Sequence, residues 1–185
     1  MRDAQEGMSD AECVVQARAG VESARVVLVQ RHHPGCLRFA RHLLGDDGDA
    51  EDAVQETFIR AFSGLHRYEE RDTFRSWLFG ILVNRCRTAA TRRARRREHI
   101  THDPAAAHEI PVEGGERMVD AQRALARALH GLDLEHREAF LLKVGEEMDY
   151  AEMALLTGVG VPALKMRVKR ARDHVRANWT AVPRA

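Results

Sequence analysis

From Phe74 onward, large apolar residues return at three- and four-residue steps: Phe74, Trp77, Leu78, Ile81, Leu82 and Cys86. Only an α-helix places that spacing on one face; a half-buried strand needs alternation at every second position. The same period recurs at Ala53, Val54, Thr57, Phe58 and Ala61, and again at Leu125, Leu129 and Leu132. Aromatics make up only 5% of the chain, and Ala, Leu, Arg and Glu are abundant, which favours helix over strand. The expected fold class is all-α.

Capping residues divide the pattern into elements. Ser9 with Glu12, and Asp149 with Glu152, have the spacing of capping boxes and should open short helices. A helix is expected over Glu22–Leu44, with Pro34-Gly35 kinking or dividing it. The next should run from Asp49 to Leu65, its early acids matched to the positive end of the helix dipole. After a polar loop at His66–Asp72, Thr73 can cap a helix over Phe74–Arg97. The stretch from Glu98 to Glu116, with Pro104, Pro111 and Gly114-Gly115, reads as a flexible linker. Helical patterning restarts near Arg117, and Asp133 can cap a helix holding Phe140, Leu141 and Val144. Two helical domains are therefore expected, 1–97 and 117–185, joined by residues 98–116.

Net charge is only +1, but its distribution is uneven. Acids cluster between Asp46 and Glu56, and arginines crowd Arg85–Arg97. A second basic block holds Lys165, Arg167, Lys169, Arg170, Arg172 and Arg176. Separate blocks suggest separate faces for separate partners.

Several function classes are disfavoured. No apolar run approaches the ~20 residues that span a bilayer, and the polar, acidic N-terminus is not a signal peptide. Cys13, Cys36 and Cys86 lie far apart without a CxxC pair, which suits reduced thiols in a cytoplasmic protein. His32-His33 and the linker histidines His99, His102 and His108 have no cysteine to complete a zinc site. No nucleophile elbow, phosphate loop or HExxH occurs, so neither catalysis nor a cofactor is expected.

Two constellations point to nucleic acid. A short helix from Tyr150, a turn at Thr157-Gly158-Val159-Gly160 and a long basic helix begun by Pro162 make a helix-turn-helix. Leu164, Val168, Ala171 and Val175 would hold the second helix down, leaving its cations for phosphates or guanine edges. In the first half, Tyr68, Phe74, Trp77 and Phe79 sit beside an arginine block. Rings stack on unpaired bases while cations hold the backbone. Phe74 and Trp77 read as core. Tyr68 in its loop and Phe79, off the apolar stripe, are the expected contacts, with the Asn84 amide able to pair with a base edge.

These residues carry a family resemblance. GDDGDAEDAVQETFIRAFSGLHRY, followed by FRSWLFGILVNRCRTAATRRARR, resembles region 2 of extracytoplasmic-function (ECF) sigma factors. LARALHGLDLEHREAFLLKVGEEMDYAEMALLTGVGVPALKMRVKRARDHVRANW resembles their region 4, in the family's order. The resemblance implies a subunit that binds core RNA polymerase, reads the −35 and −10 elements of promoter DNA and promotes melting, with an anti-sigma factor as a further partner. It implies that Ala50–Phe62, through Asp52, Gln55, Glu56 and Phe58, docks the clamp of the polymerase's largest subunit. Tyr68, Phe79 and Asn84 fall where residues pocketing a flipped −10 base lie, with Arg85 and Arg92 beside them. Pro162, Ala163, Lys165, Met166, Arg167, Lys169, Arg170 and Arg172 fall on the −35 reader. The family often has Ser or Thr before that helix and a Thr-Val-Lys-Ser-Arg string within it; here the positions are Gly160 and Ala163-Leu164-Lys165-Met166-Arg167. Two other readings stay open on sequence: a duplex-binding regulator without melting activity, and a decoy that occupies polymerase.

Overall fold

The computed structural model describes residues 7–69, 73–99 and 124–179. Helix α1 (Asp10–Arg18) opens with the expected capping box: the Ser9 hydroxyl accepts from the Glu12 N–H, and Glu12 accepts from the Ser9 N–H at 2.7 Å. Helix α2 (Glu22–Leu44) carries Pro34 inside one element rather than dividing there. It stops where Gly45 turns left-handed at φ 65°. Asp46 caps α3 (Asp47–Gly64), accepting from the Asp49 N–H at 2.9 Å, so α3 begins two residues ahead of the expected Asp49. A 3-10 turn, Leu65–Arg67, leads toward α4 (Phe74–His99), two residues longer than expected. His102 and His108 lie outside the described residues.

The first half is a bundle in which α4 packs on α3 and α2, and α1 on α2. Its core joins Leu28, Phe39 and Leu43 of α2 to Val54 and Phe58 of α3 and to Phe74, Leu78 and Leu82 of α4.

The second half begins with a helical segment at 124–130, α5. Asp133 then caps α6 (Leu134–Phe140), accepting from the His136 N–H. That hydrogen bond is the main reason its carboxyl sits below the ordinary aspartate range. A π-helical turn, Leu141–Gly145, follows. Helix α7 (Tyr150–Thr157) has the second expected capping box, from Asp149 and Glu152. Gly158, left-handed at φ 71°, ends it. Helix α8 (Val161–Asn178) buries Leu164, Val168, Ala171 and Val175 against α6 and α7, the stripe expected from spacing.

The two halves also pack on one another, α4 against α7 and α2 against α6 and the π turn. Buried Arg137 of α6 donates to the carbonyls of Leu129, His130 and Leu132 in its own half and to that of Leu43 in α2 at 2.8 Å. The sequence pattern does not show this interface, because its polar contacts come from side chains that read as surface charge.

Candidate functional site

Three surfaces correspond to the residues singled out in the sequence. On α3, Asp52, Gln55 and Glu56 are exposed and share one face through three- and four-residue spacing. Glu56 lies 3.6 Å from Arg85 of α4. Phe58 is a correction: it is 7% exposed, its ring 6.2 Å from His33 and 6.1 Å from Phe62. Position 58 is rotated about 120° around the helix from Asp52 at 3.6 residues per turn and points into the bundle. The residue completing the exposed face is Ile59, at seven positions from Asp52 and 59% exposed. That spacing was available in the sequence, where Ile59 falls outside the apolar stripe of Ala53, Val54, Thr57, Phe58 and Ala61.

On α4, Asn84 is exposed, and Arg85, Arg87, Thr88, Arg92 and Arg96 line an open groove with it. Arg92 and Arg96 lie 3.5 and 3.4 Å from Asp49 at the start of α3, so part of the arginine block is drawn to that acid. Arg87, not singled out from sequence, donates to Glu138 of α6 through two bonds of 2.8 and 2.6 Å.

Phe79 is a second correction. It is 2% exposed, packed edge-on to Phe39 at 5.4 Å with the Arg75 guanidinium 5.0 Å from its ring centre. It does fall off the stripe of Phe74 and Leu78. However, α4 is covered on a second side by α2 and α7, and Phe79 and Val83 fill that side. Tyr68 is a third. It is 6% exposed, with Trp77 at 5.2 Å, Phe74 at 6.0 Å and the Arg18 guanidinium 5.7 Å from its ring. Arg18 also donates to the carbonyls of Leu65 and Tyr68, fixing the loop that carries the ring. Neither ring offers a free face in this arrangement.

On α8, Pro162, Ala163, Lys165, Met166, Lys169, Arg170 and Arg172 are exposed, opposite the buried stripe. Met166 is 50% exposed. Arg167 is half-buried and bonded to Glu135 of α6, which neutralises it locally. The Lys165 ammonium lies 5.8 Å from the Tyr150 ring centre.

None of the described residues forms a group of three His, Cys, Asp or Glu able to hold a metal. His32 bonds Asp10 at 2.8 Å, yet burial outweighs that carboxylate and lowers its pKa, so it acts as a neutral donor. Burial pushes the Cys36 and Cys86 thiols up to about 12, which leaves them inert. No described helix is long and apolar enough to cross a membrane.

A helical bundle with an acidic face and an arginine-lined groove, joined in one chain to a helix-turn-helix, defines a two-domain helical DNA-binding factor. The chain matches Sigma-70 region 2 over residues 28–96 and Sigma-70, region 4 over residues 122–175. It is 34% identical to the RNA polymerase sigma factor NccH of Alcaligenes xylosoxydans xylosoxydans, covering 88% of this chain and 90% of that one. It is 32% identical to the ECF RNA polymerase sigma factor SigM of Mycobacterium tuberculosis, covering 89% and 81%. Two solved structures share the fold. The sigma factor RpoE with the anti-sigma factor NepR, from Bartonella quintana, has TM-score 0.68 at 25% identity, over 81% of this chain and 92% of that one. CnrH with the cytosolic domain of CnrY has TM-score 0.66 at 30% identity, over 91% and 95%. The chain belongs to the ECF RNA polymerase sigma factors, and it initiates transcription with RNA polymerase.

Proposed function

We propose that the work of this sigma factor is divided among the three surfaces. The exposed face of Asp52, Gln55, Glu56 and Ile59 docks core polymerase. The groove around Asn84, Arg85 and Arg92 holds the non-paired strand of the −10 element. The exposed face of α8 reads the −35 element in duplex DNA. The observation that carries this reading is the placement of Asn84: an exposed amide set among arginines on one helix, able to meet both a base edge and its phosphates. A regulator that reads only duplex DNA needs no such groove, which is why the melting role is preferred to that alternative and to the decoy.

The domain limits proposed are 1–97 and 117–185, with 98–116 between them; limited digestion followed by mass spectrometry tests them. The chain has no catalytic role of its own in this reading and works in the cytoplasm, where polymerase and promoters are. An anti-sigma factor is a further proposed partner, supported by the anti-sigma complex of the Bartonella relative. Run-off transcription with core polymerase and genomic DNA fragments tests the central reading. Promoter-specific transcripts are expected only when this protein is added; their absence with the protein present would overturn it.

A further inference from the structure

One line of α4 runs along the groove at four-residue steps: Asn84, Thr88, Arg92 and Arg96. At ~1.5 Å per residue, the two arginines stand about 12 and 18 Å along the helix from Asn84. The Thr88 hydroxyl hydrogen is spent on the Asn84 carbonyl, at 2.8 Å. Polar recognition along this line therefore falls to the amide at one end and the two guanidiniums at the other.

Both guanidiniums lean on one carboxylate of the neighbouring helix. Asp49, in the first turn of α3, has a side chain only 13% exposed, with Arg92 at 3.5 Å and Arg96 at 3.4 Å from the same oxygen, Oδ1. Its backbone is fixed by Asp46, which accepts the Asp49 N–H in capping the helix. Arg93 is a different case. It lies 4.0 Å from Asp49, but it also pairs with Asp46 at 3.5 Å and donates to the Leu44 carbonyl. The seating of α4 on α3 thus does not depend on Asp49 alone. Arg92 and Arg96 are exposed, and their contacts with Asp49 are longer than the ~2.7–2.9 Å of a closed charge-assisted hydrogen bond. Asp49 aims these arginines without consuming them. Each guanidinium has several N–H donors, and phosphate oxygens can take those that Asp49 leaves. An exposed arginine with no fixed partner samples many rotamers, and would hold a strand's backbone at no set distance from Asn84.

We infer that Asp49 is the positioning residue of the −10 groove: through Arg92 and Arg96 it sets where the strand's phosphates lie relative to the Asn84 amide, and so which base meets that amide. This rests on the −10 role proposed for the groove, and the experiment separates the two. Holoenzyme assembled with core polymerase is bound to two labelled single-stranded oligonucleotides. One is the non-template strand of a promoter mapped by run-off transcription; the other has its −10 segment scrambled. Dissociation constants are measured across a salt series, with core polymerase alone as background. Asp49→Asn should lower the preference for the −10 strand about threefold, the scale of an exposed ion pair. The scrambled strand should bind more tightly at low salt, its salt slope steeper by about 0.7, because a carboxylate no longer competes with one phosphate. Asp49→Glu keeps the charge and should restore the parent slope. Arg92→Gln with Arg96→Gln should lose the preference to the same extent, and adding Asp49→Asn should lower it no further.

A purely structural Asp49 would instead weaken both strands alike with the slope unchanged, and that result overturns the proposal. So does an Asp49→Asn effect that persists undiminished in the double-glutamine chain. Should Asp49→Asn not fold, the double-glutamine variant decides, since both of its positions are exposed. Weaker binding to both strands with the preference intact would show that the arginines hold phosphates without setting the register, and overturns the proposal. A parent holoenzyme with no preference between the strands, or one whose preference survives Asn84→Ala, refutes the −10 reading itself and the role of Asp49 with it.

Discussion

The ring of His130 occupies the space a side chain on Gly45 would need: a β-carbon there would lie 2.0 Å from His130 Cε1. Gly45 also turns left-handed at φ 65° to end α2, and Leu43, two residues earlier, gives its carbonyl to Arg137. One short segment thus stops a helix in the first half and seats the second half upon it. Gly45→Ala should cost about 1–2 kcal/mol from backbone conformation alone, and should also displace His130. The expected outcome is a lower urea midpoint; an unchanged midpoint would show that the halves are not seated on Gly45.

His42 lies on the same side of α2. Its Nδ1 is buried with no hydrogen-bond partner. Burial, then Arg38, then His130 hold its pKa below the usual 6.5. His130 is lowered by burial and by Arg137 and Arg93. With folded pKa values depressed, the unfolded chain binds protons first as pH falls below 6.5, so stability should drop there, with a slope up to ~1.4 kcal/mol per pH unit for each histidine. Well above that pH both rings are neutral in either state and the slope vanishes. Urea unfolding between about pH 7 and 5.5 measures it. His42→Asn should flatten the dependence; the same slope in that variant would assign the effect elsewhere.

Replacing the two carboxylates on the exposed side of α3, as Asp52→Arg with Glu56→Arg, should weaken binding to core polymerase at least tenfold while leaving helicity unchanged. Like-charge contacts across an interface cost several kcal/mol, more than a lost rim pair contributes. Ile59→Ala should add to the loss, because it removes apolar area from the face proposed to dock. Unchanged affinity in a pull-down would move the docking face off this helix.

Much of this was legible in the chain because helices announce themselves locally. Ser9–Glu12 and Asp149–Glu152 formed their capping boxes, and Leu164 to Val175 formed their stripe, from spacing alone. What failed was the assignment of faces on elements covered twice. Phe79 looked free because one apolar stripe had already been counted on α4, and only the packing of α2 and α7 supplies the second. Nothing in the sequence pairs Glu138 with Arg87 or Glu146 with Arg75, because those partners are 51 and 71 residues distant and no periodicity links them. Ile59, an apolar residue left outside the bundle, lies off the stripe that spacing picks out and so carried no signal of a role.

The burial of Tyr68 separates two variants that the sequence alone would treat alike. Asn84→Ala removes an exposed amide and should cut open-complex formation while sparing stability and core binding. Tyr68→Ala instead empties a ring from the cluster with Phe74 and Trp77, and should cost about 3 kcal/mol of stability. Permanganate reactivity of −10 thymines and thermal unfolding, measured on both, resolve this. Normal melting by Asn84→Ala would place the base-reading group elsewhere in the groove.

The −35 reader makes a sharper test of residue roles. Helix-turn-helix proteins present the first turns of the second helix to base edges, and later cations hold phosphates. On α8 that sets exposed Met166 near the bases and Arg170 nearer the backbone. A methionine can touch a thymine methyl but cannot pair with a base edge, whereas a serine hydroxyl can. Met166→Ser should therefore change which −35 sequences emerge from a binding-site selection. Arg170→Ala should weaken all sequences about equally and lower the salt slope by about one. Arg167 should matter less than its charge suggests, since Glu135 already engages it. If Met166→Ser selects the same −35 motif as the parent chain, the helix meets the groove by a face rotated away from Met166, and Lys165 and Lys169 become the candidates for base contact.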